Sequence, residues 1–177
     1  METLKTKTEK AFDFLKEKNG YKNKMQSPRI KKVVISVGVG SQKDKAKIKL
    51  IEDRLAKITG QKAAERSAKV AIANFKSRQG DLVGYQVTLR GARMNDFLEK
   101  LIHISLPRTK DFRGINRESA DEMGNYTFGI KEHTIFPETA DEELKDVFGM
   151  AVTVVTTAKS KEEVQDFLEY LGFPFKK

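Results

Sequence analysis

Apolar residues recur at helical spacing in four segments of the chain. Their apolar positions are Leu4, Ala11, Phe12 and Leu15; Ile48, Ile51, Leu55 and Ile58; Met94, Phe97, Leu98, Leu101 and Ile102; and Val164, Phe167, Leu168 and Leu171. This spacing of three and four residues predicts four amphipathic helices. A glycine follows three of them and Pro107 stops the other. Ser160 followed by Glu163 predicts a capping box at the start of the fourth helix.

Alternating or continuous apolar residues predict strands between the helices. We expect strands over Ile30–Val37, Val70–Phe75, Leu82–Arg90 and Met150–Thr157. The second and third form a hairpin, because the intervening KSRQGD contains Gly80, which tolerates the positive φ of a turn. Helices mixed with an antiparallel hairpin indicate an α+β fold. We expect a two-layer sandwich with helices on one face of a mainly antiparallel sheet and a protruding hairpin.

The length of the chain favours a single domain. Its 177 residues, 38% of them apolar, suffice for one core and are short for two. We therefore treat 1–177 as one domain with a long excursion over 107–146, rich in Gly, Pro, Asn and charge from Pro107 to Glu138. The sequence lacks a run of about 18 apolar residues that would predict a membrane span. The N-terminus has no signal-peptide pattern, so a cytosolic protein is expected.

Basic charge is concentrated in the first half of the chain. Met1 to Arg90 contains 22 Lys and Arg against 9 Asp and Glu, whereas the remainder contains 12 against 16. Within the first half, Tyr21 to Lys49 contains nine basic residues and one acid. Such a concentration attracts polyanions, and nucleic acid is the most abundant polyanion in the cytosol. Scattered lysines alone usually form a solvated surface, but this uneven distribution favours nucleic-acid binding.

Catalytic and cofactor motifs are incomplete in this sequence. The stretch VVISVGVGSQKDK has Gly38 and Gly40 but lacks the third glycine of a dinucleotide-binding loop. There are no cysteines, and His103 and His133 do not form a zinc-protease motif. The acidic cluster Asp141 to Glu143 is more typical of a solvated helix start than of acid-base chemistry. We expect neither an enzyme nor a bound cofactor or metal.

A basic and polar binding surface is the remaining candidate for function. Its cations and hydrogen-bonding groups match the phosphates, sugars and base edges of RNA. The residues we expect to bind RNA are Lys24, Arg29, Lys32 and Lys43 in the basic segment, Gln61 and Lys62 in the turn GQK, and Gln86, Thr88 and Arg90 on one strand face. The hairpin tip Lys76, Ser77, Arg78, Gln79 and Gly80 can reach a second RNA, although a solvated hairpin end has the same composition.

Nine motifs, in register over Met25 to Phe175, resemble a known family. They are SPRIKKVVISVGVG, ITGQK, FKSRQGDLVG, VTLRG, ISLPRTKDFRGI, GNYTFGIKE, IFPE, VVTTAKSKEE and LGFPF. In this order they resemble the bacterial form of the ribosomal protein L-five family, whose members bind 5S rRNA. Agreement over nearly the whole chain is far more specific than any single glycine pattern.

The resemblance implies a structural constituent of the large ribosomal subunit that binds 5S rRNA in the central protuberance. It adds Ser36 to the rRNA-binding residues and supports Gln61 and Thr88. It also implies that the hairpin loop from Phe75 to Gly80 contacts the elbow of peptidyl-site tRNA. Part of the excursion would form a bridge with protein S-thirteen of the small-subunit head. Other central protuberance proteins and 23S rRNA are the remaining expected partners.

Two departures from the family pattern lie at candidate contacts. Relatives commonly have Asn in place of Ser36, so an amide contact becomes a shorter hydroxyl contact or a water bridge. The family usually has an Arg before the Asn-Tyr pair, where this chain has Glu122 and Met123. The residues alone are also compatible with two other functions, a general RNA chaperone and an RNA-modifying factor. The resemblance favours the ribosomal role over both.

Overall fold

Helices and strands follow the apolar periods over most of the residues that the computed structural model describes, which are 3–42, 44–139 and 146–176. The helices are α1 Leu4–Asn19, α2 Lys45–Thr59, α3 Gly91–Lys100 and α4 Lys161–Leu171. The strands are β1 Ile30–Gly38, β2 Ala64–Ser67, β3 Leu82–Leu89, β4 Asn125–Ile130 and β5 Met150–Thr156. None of the helices in these ranges is long and apolar enough to cross a membrane.

The strands form one five-stranded sheet in the order β2-β3-β1-β5-β4. β2 and β3 are antiparallel, with Ala64 opposite Gln86 and Arg66 opposite Gly84. Burial alternates along β1, β3, β4 and β5, so each places one apolar side in the core and leaves the other more exposed. Helices combined with an antiparallel sheet confirm the predicted α+β class.

The described residues divide into two compact units, each built from several segments of the chain. The first unit takes the described residues of Met1–Val33, Leu89–Phe128 and Thr153–Lys177, and the second takes those of Val34–Thr88 and Gly129–Val152. Because both units are discontinuous, no single cut of the chain separates them. The single-domain interpretation of 1–177 stays a prediction.

In the first unit, α1 packs against α4 and α3. Leu4, Ala11 and Leu15 of α1 are buried, as the helical period predicts. The Lys7 ammonium donates to the carbonyl of Leu171 at 3.2 Å, where the αL residue Gly172 ends α4. These contacts join the two ends of the described chain into one core.

In the second unit, α2 buries Ile51, Leu55 and Ile58. The same unit contains His133, which is fully buried and stacks on Phe148 with ring centroids 4.0 Å apart. Its Nδ1 accepts a hydrogen bond from the backbone N–H of Phe148 at 3.3 Å. His133 is therefore a packed core residue, whereas His103 is exposed on the turn after α3.

The predicted first arm of the hairpin is wrong. Val70–Phe75 contains no named strand, and the arm that pairs with β3 is β2, Ala64–Ser67. All four residues of β2 are exposed, so their side chains carry no apolar alternation that could indicate a strand. The hairpin itself is present, with 68–81 as its loop.

Two helix ends differ in detail from the predictions. After Lys100, α3 continues as a π-helical turn over Leu101–Ser105, in which the wider turn keeps Leu101 and Ile102 buried. At α4 the Ser160 hydroxyl accepts from the N–H of Glu163 at 3.3 Å, as predicted. The reciprocal half of the capping box is wrong, because Glu163 Oε2 accepts from the N–H of Lys159 at 2.7 Å instead of that of Ser160.

The excursion 107–146 contains regular structure and ordered contacts. It supplies β4, and the N–H of Ile115 donates to the carbonyl of Pro174 at 2.8 Å while the N–H of Lys176 donates to the carbonyl of Ile115 at 2.9 Å. The Tyr126 hydroxyl donates to the carbonyl of Asn116 at 2.7 Å. The acidic cluster Asp141 to Glu143 lies outside the described residues.

Candidate nucleic-acid interface

Polar side chains gather in the second unit on the strand faces that point away from the core. Ser36 of β1 is exposed between the buried Ile35 and Val37. Gln86 and Thr88 of β3 are half-buried and alternate with buried residues in the same way. Since β1 and β3 are neighbours in the sheet, these three side chains share one face.

Gln61 reaches the strand that carries Thr88 from the end of α2. Gly60 adopts the left-handed conformation that ends the helix, and the Thr59 hydroxyl donates to the carbonyls of Leu55 and Gln61 at 2.7 and 3.0 Å. The Gln61 amide then donates to the carbonyl of Thr88 at 3.4 Å. Gln61 and Thr88, 27 residues apart in sequence, are thereby in contact.

Arg66 of β2 is a member of this surface that the sequence analysis missed. Its Nε donates to Oε1 of Gln86 at 2.6 Å, which holds an exposed guanidinium beside the polar strand positions. Arg66 was missed because β2 was not recognised as a strand. Ala64 lies opposite Gln86, and residues two apart in a strand share a face, so Arg66 lies on the same face as Gln86. We call Ser36, Gln61, Arg66, Gln86 and Thr88 together the polar face.

Lys62 lies next to the polar face on the exposed side of the α2–β2 turn. Its ammonium is 3.9 Å from a carboxylate oxygen of Glu52, and its side chain remains largely in solvent. An exposed ion pair at this distance contributes little, so the ammonium is free to exchange Glu52 for a phosphate. Lys43, which was expected to bind rRNA as part of the basic segment Tyr21 to Lys49, lies outside the described residues.

The glycine turn after β1 is used by the sheet. The N–H groups of Val39 and Gly40 both donate to the carbonyl of Val83, at 2.9 and 3.2 Å. Neither Gly38 nor Gly40 has a positive φ. The backbone amides that would hold a phosphate in a dinucleotide loop are therefore already partnered, which agrees with a tight exit from a strand.

The remaining cations predicted to bind rRNA belong to the first unit. Lys24 is exposed in a short turn, Lys24–Gln26, that Asn23 caps with a side-chain oxygen 3.0 Å from the N–H of Met25. Arg29 is exposed, with its backbone N–H donated to the Thr157 hydroxyl at 2.9 Å. Lys32 is half-buried on β1 and Arg90 is exposed before α3. Both units thus present predicted cations to solvent.

The hairpin loop is ordered by its own backbone. Ile72 and Ser77 exchange hydrogen bonds at 3.1 and 3.3 Å, and the N–H of Arg78 donates to the carboxylate of Asp81 at 2.7 Å. Lys76 has a positive φ of 50°, which is uncommon for a residue with a side chain. These bonds bring the six predicted residues from Phe75 to Gly80 together at one tip.

Apolar side chains in this loop are unusually exposed. Val70 is 68% exposed, Ile72 45% and Phe75 77%. Exposed apolar side chains that cluster in one loop are typical of a contact surface. The loop therefore offers an aromatic ring and two cations, Lys76 and Arg78, to a partner.

Tyr85 of β3 is a titratable group whose pKa is shifted. Burial raises the pKa of Tyr85, and the nearby carboxylates Glu52 and Glu65 raise it further, so its hydroxyl stays protonated. In the described ranges, no three His, Asp or Glu residues are grouped so that they could hold a metal ion. The surface offers hydrogen-bond donors, acceptors and positive charge, which are the groups that bind a nucleic acid.

Comparison with known proteins identifies the family of the chain. The family model described as ribosomal protein L5 matches residues 23–78, and the model of the C-terminus of the same ribosomal family matches residues 82–175. The large ribosomal subunit protein uL5 of Thermoanaerobacter sp. (strain X514) is 48% identical over 179 residues, covering 100% of both chains. The protein of the same name from Kosmotoga olearia is 49% identical over 176 residues, covering 98% of this chain and 96% of the relative.

A third relative, the large ribosomal subunit protein uL5 of Pelagibacter ubique, is 48% identical over 162 residues, covering 91% of this chain and 88% of its own. The C-terminal family model alone spans more than half of the chain. These matches confirm the resemblance drawn from the nine motifs. The chain belongs to the ribosomal protein L5 family.

Proposed function

We propose that this chain is a structural constituent of the large ribosomal subunit that binds 5S rRNA in the central protuberance. Its polar face supplies the specific contacts. The hairpin loop contacts peptidyl-site tRNA, and part of the excursion 107–146 contributes to a bridge with protein S-thirteen of the small-subunit head. The role is architectural and not catalytic. Membership of the ribosomal protein L5 family supports this proposal.

The observation that carries the proposal is the convergence of neutral hydrogen-bonding groups with a cation on the polar face. Gln61 is held against Thr88, and Arg66 is held against Gln86, so two contacts pre-position the side chains before RNA arrives. Hydroxyl and amide groups read base edges and riboses, while a guanidinium neutralises phosphate. Groups that are already fixed lose less conformational entropy on binding.

The charge distribution supports a separate, less specific contribution to binding. Lys24, Arg29, Lys62 and Arg90 are exposed. Each phosphate that a cation neutralises releases counterions, so affinity falls as salt rises whatever the RNA sequence. We therefore assign sequence preference to the polar face and salt-sensitive affinity to the cations.

For tRNA, the support is the exposure of Phe75 together with Lys76 and Arg78 in the hairpin loop. An exposed aromatic ring can stack on an unpaired base, and adjacent cations neutralise the backbone. For the bridge, the support is the mixed surface of the excursion, in which Arg108, Lys110 and Asp111 are exposed and Met123 is 76% exposed. A protein partner accepts such a mixture of charges and apolar groups.

A salt titration with two RNAs tests the proposal. Binding of the full chain to 5S rRNA is compared with binding to an unrelated structured RNA of equal length. We expect both affinities to fall with salt, with a slope of roughly −0.7 to −0.9 for each phosphate neutralised, while a preference for 5S rRNA persists. Equal binding of both RNAs at every salt concentration would favour the RNA chaperone.

A triple variant then locates the preference. Replacing Ser36, Gln61 and Thr88 by alanine removes three hydrogen-bonding groups, each worth about 1 kcal/mol, so the preference for 5S rRNA should fall by roughly a hundredfold. The salt slope should stay constant because no cation is removed. Ser119→Ala, a half-buried hydroxyl of the first unit, is the matched control. An unchanged preference in the triple variant would end the assignment of specificity to these residues.

A further inference from the structure

The first unit contains a cavity that the polar face does not include. It has a volume of about 310 Å³ and lies between α1, the turn Lys24–Gln26, the start of β1 and α3. Pockets for small ligands begin at roughly this size. The cavity is therefore large enough for a single small group and too small for a folded element.

The walls of the cavity are mainly apolar. Phe12, Met25, Ile30 and Met94 line it, and the side chain of Met25 is 70% exposed. Methionines adapt their shape to a partner and make favourable contacts with aromatic rings. An aromatic ring and two thioethers suit a flat aromatic ligand such as an unstacked nucleobase.

Ser27, one of the residues that line this cavity, has a buried hydroxyl without a hydrogen-bond partner. Ser27 is only 6% exposed, and its Oγ has no partner in the structure although the residue lines the cavity. Buried polar groups are nearly always paired, because leaving one unpaired costs free energy. Ser27 Oγ is thus an unused donor and acceptor in the wall of the cavity.

Positive charge surrounds the cavity. Lys5, Lys24 and Arg29 line it together with one carboxylate, Glu9. The guanidinium of Arg29 lies 3.8 Å from the sulfur of Met25. The excess of cations around the cavity favours an anionic ligand. The apolar walls favour a ligand that also has a planar apolar part. A nucleotide has both.

The elements that form the walls are fixed in place. The N–H of Leu4 donates to the carboxylate of Glu99 at 2.7 Å, which holds the start of α1 against α3. Arg29 is bonded through both its N–H and its carbonyl to Thr157, at 2.9 and 3.0 Å. A site whose walls are already ordered binds a small ligand at lower entropic cost.

We propose that this cavity binds one unstacked nucleotide of an RNA, with the base between Phe12, Met25 and Met94 and the phosphate at Lys24 and Arg29. Ser27 Oγ bonds to the edge of the base. The inference rests on the proposed RNA-binding role, but it uses residues that are not part of the polar face. It gives the protein a second contact, for an extruded base, beside the one made by the polar face.

Methionine methyl signals test the proposal directly. The full chain labelled at the methionine methyls is titrated with each of the four nucleoside 5′-monophosphates and with ribose 5-phosphate, which has no base. We expect the ring current of the base to shift the methyl signals of Met25 and Met94 when a nucleotide is added. Ribose 5-phosphate, which has no base, should leave both signals unchanged. Met123 and Met150 provide controls within the same molecule, since neither lines the cavity. No shift at Met25 and Met94 with any nucleotide overturns the proposal.

The variant Ser27→Ala separates a ligand-binding role from a structural one. A hydroxyl kept for a ligand is unpaired in the free protein, so its removal should leave the melting temperature unchanged or raise it. Nucleotide affinity should nevertheless fall by about three- to tenfold, the effect of one lost hydrogen bond. Ser119→Ala should change neither quantity. If Ser27→Ala lowers the melting temperature and leaves nucleotide affinity intact, the hydroxyl is structural and the proposal fails.

Binding of 5S rRNA distinguishes failure of this inference from failure of the proposed function. If Ser27→Ala binds 5S rRNA as the wild type does while the triple variant of the polar face loses its preference, the cavity holds no RNA and the proposed function stands. If the wild type shows no preference for 5S rRNA, the proposed function fails, and the methyl shifts alone decide whether the cavity binds nucleotides. Shifts caused by a protein of the large subunit, and by no nucleotide, would assign the cavity to a protein partner and overturn the proposal.

Discussion

Replacing Gly84 by alanine tests how closely β1 and β3 must approach to form the polar face. A Cβ atom at Gly84 would lie 2.7 Å from the carbonyl oxygen of Val37, whereas ordinary contacts are 3.4–4 Å. The neighbouring atom is backbone, so the two strands have to separate by several tenths of an ångström. Strain of this kind costs about 1–3 kcal/mol. The lower chain entropy of alanine returns roughly 0.5–1 kcal/mol, so the middle of each range leaves a net loss of about 1.2 kcal/mol.

Urea unfolding measures this loss. With an m-value of roughly 2 kcal/mol per molar, the midpoint of Gly84→Ala should fall by about 0.6 M at unchanged m. Gly38→Ala is the matched control on β1, because its Cβ would meet no atom within 4 Å and its φ is not positive. Its midpoint should equal or slightly exceed that of the wild type. If both variants unfold at the same urea concentration, the close approach at Gly84 does not constrain the sheet.

Three further predictions concern pH, a buried carboxylate and the hairpin loop. Burial raises the pKa of Tyr126 from 10.0 to about 12. The stability that the protonated hydroxyl contributes is therefore intact below pH 10 and is lost as the pH rises through 12. In Tyr126→Phe the urea midpoint should fall less steeply over this pH range than in the wild type. Asp166 is 9% exposed, and its Oδ1 lies 3.3 Å from Nη2 of Arg117. Asp166→Ala should therefore lower the free energy of unfolding by about 1–3 kcal/mol. Asp13→Ala, on the exposed side of α1, is the control and should change this free energy by less than about 0.5 kcal/mol. Phe75→Ala should leave the urea midpoint unchanged, because the ring is 77% exposed, and should weaken tRNA binding in the peptidyl site of assembled ribosomes; tRNA binding at the wild-type level would contradict the proposed contact.

Elements with a strong apolar period could be predicted from the sequence alone. Ile51, Leu55 and Ile58 of α2 are buried as their spacing predicts, and β3 alternates between core and polar positions. Here the burial of side chains decides the structure, and the same property sets the pattern in the sequence. The left-handed residue Gly60, which ends α2, was recognisable for a related reason, since glycine adopts this conformation without strain.

The first arm of the hairpin could not be predicted in this way. β2 is fully exposed and is positioned by backbone pairing with β3, which leaves no trace in the apolar pattern. Conversely, the apolar residues Val70 and Ile72 indicate a buried strand but lie in an exposed loop. The rule that apolar residues lie inside fails where a protein keeps an apolar contact surface.

Only some residues of the polar face could be predicted from the local sequence. Gln86 and Thr88 follow from the alternation in β3, but the contacts that bring Gln61 and Arg66 to them join residues far apart in the chain. Tertiary packing creates those contacts, and no spacing rule encodes them. Ser36 was assigned to RNA binding only through the resemblance to a family, which also supported Gln61. The cavity at Ser27 was not predicted, because an unpaired buried hydroxyl is visible only in three dimensions.

The division of the first unit among separate segments has a consequence for how the chain acquires its structure during translation. Both segments of the second unit, within 34–88 and 129–152, are synthesised before the 153–176 segment that completes the first. Helix α1 therefore leaves the ribosome early but cannot bury Leu4, Ala11 and Leu15 against α4 until that later segment has followed it. Before then only α3 can cover part of this apolar stripe. At roughly 5–20 residues per second, the part that packs on α4 stays uncovered for several seconds or more. The first helix to be made is among the last to be buried, so nascent chains of this protein are expected to engage chaperones at α1.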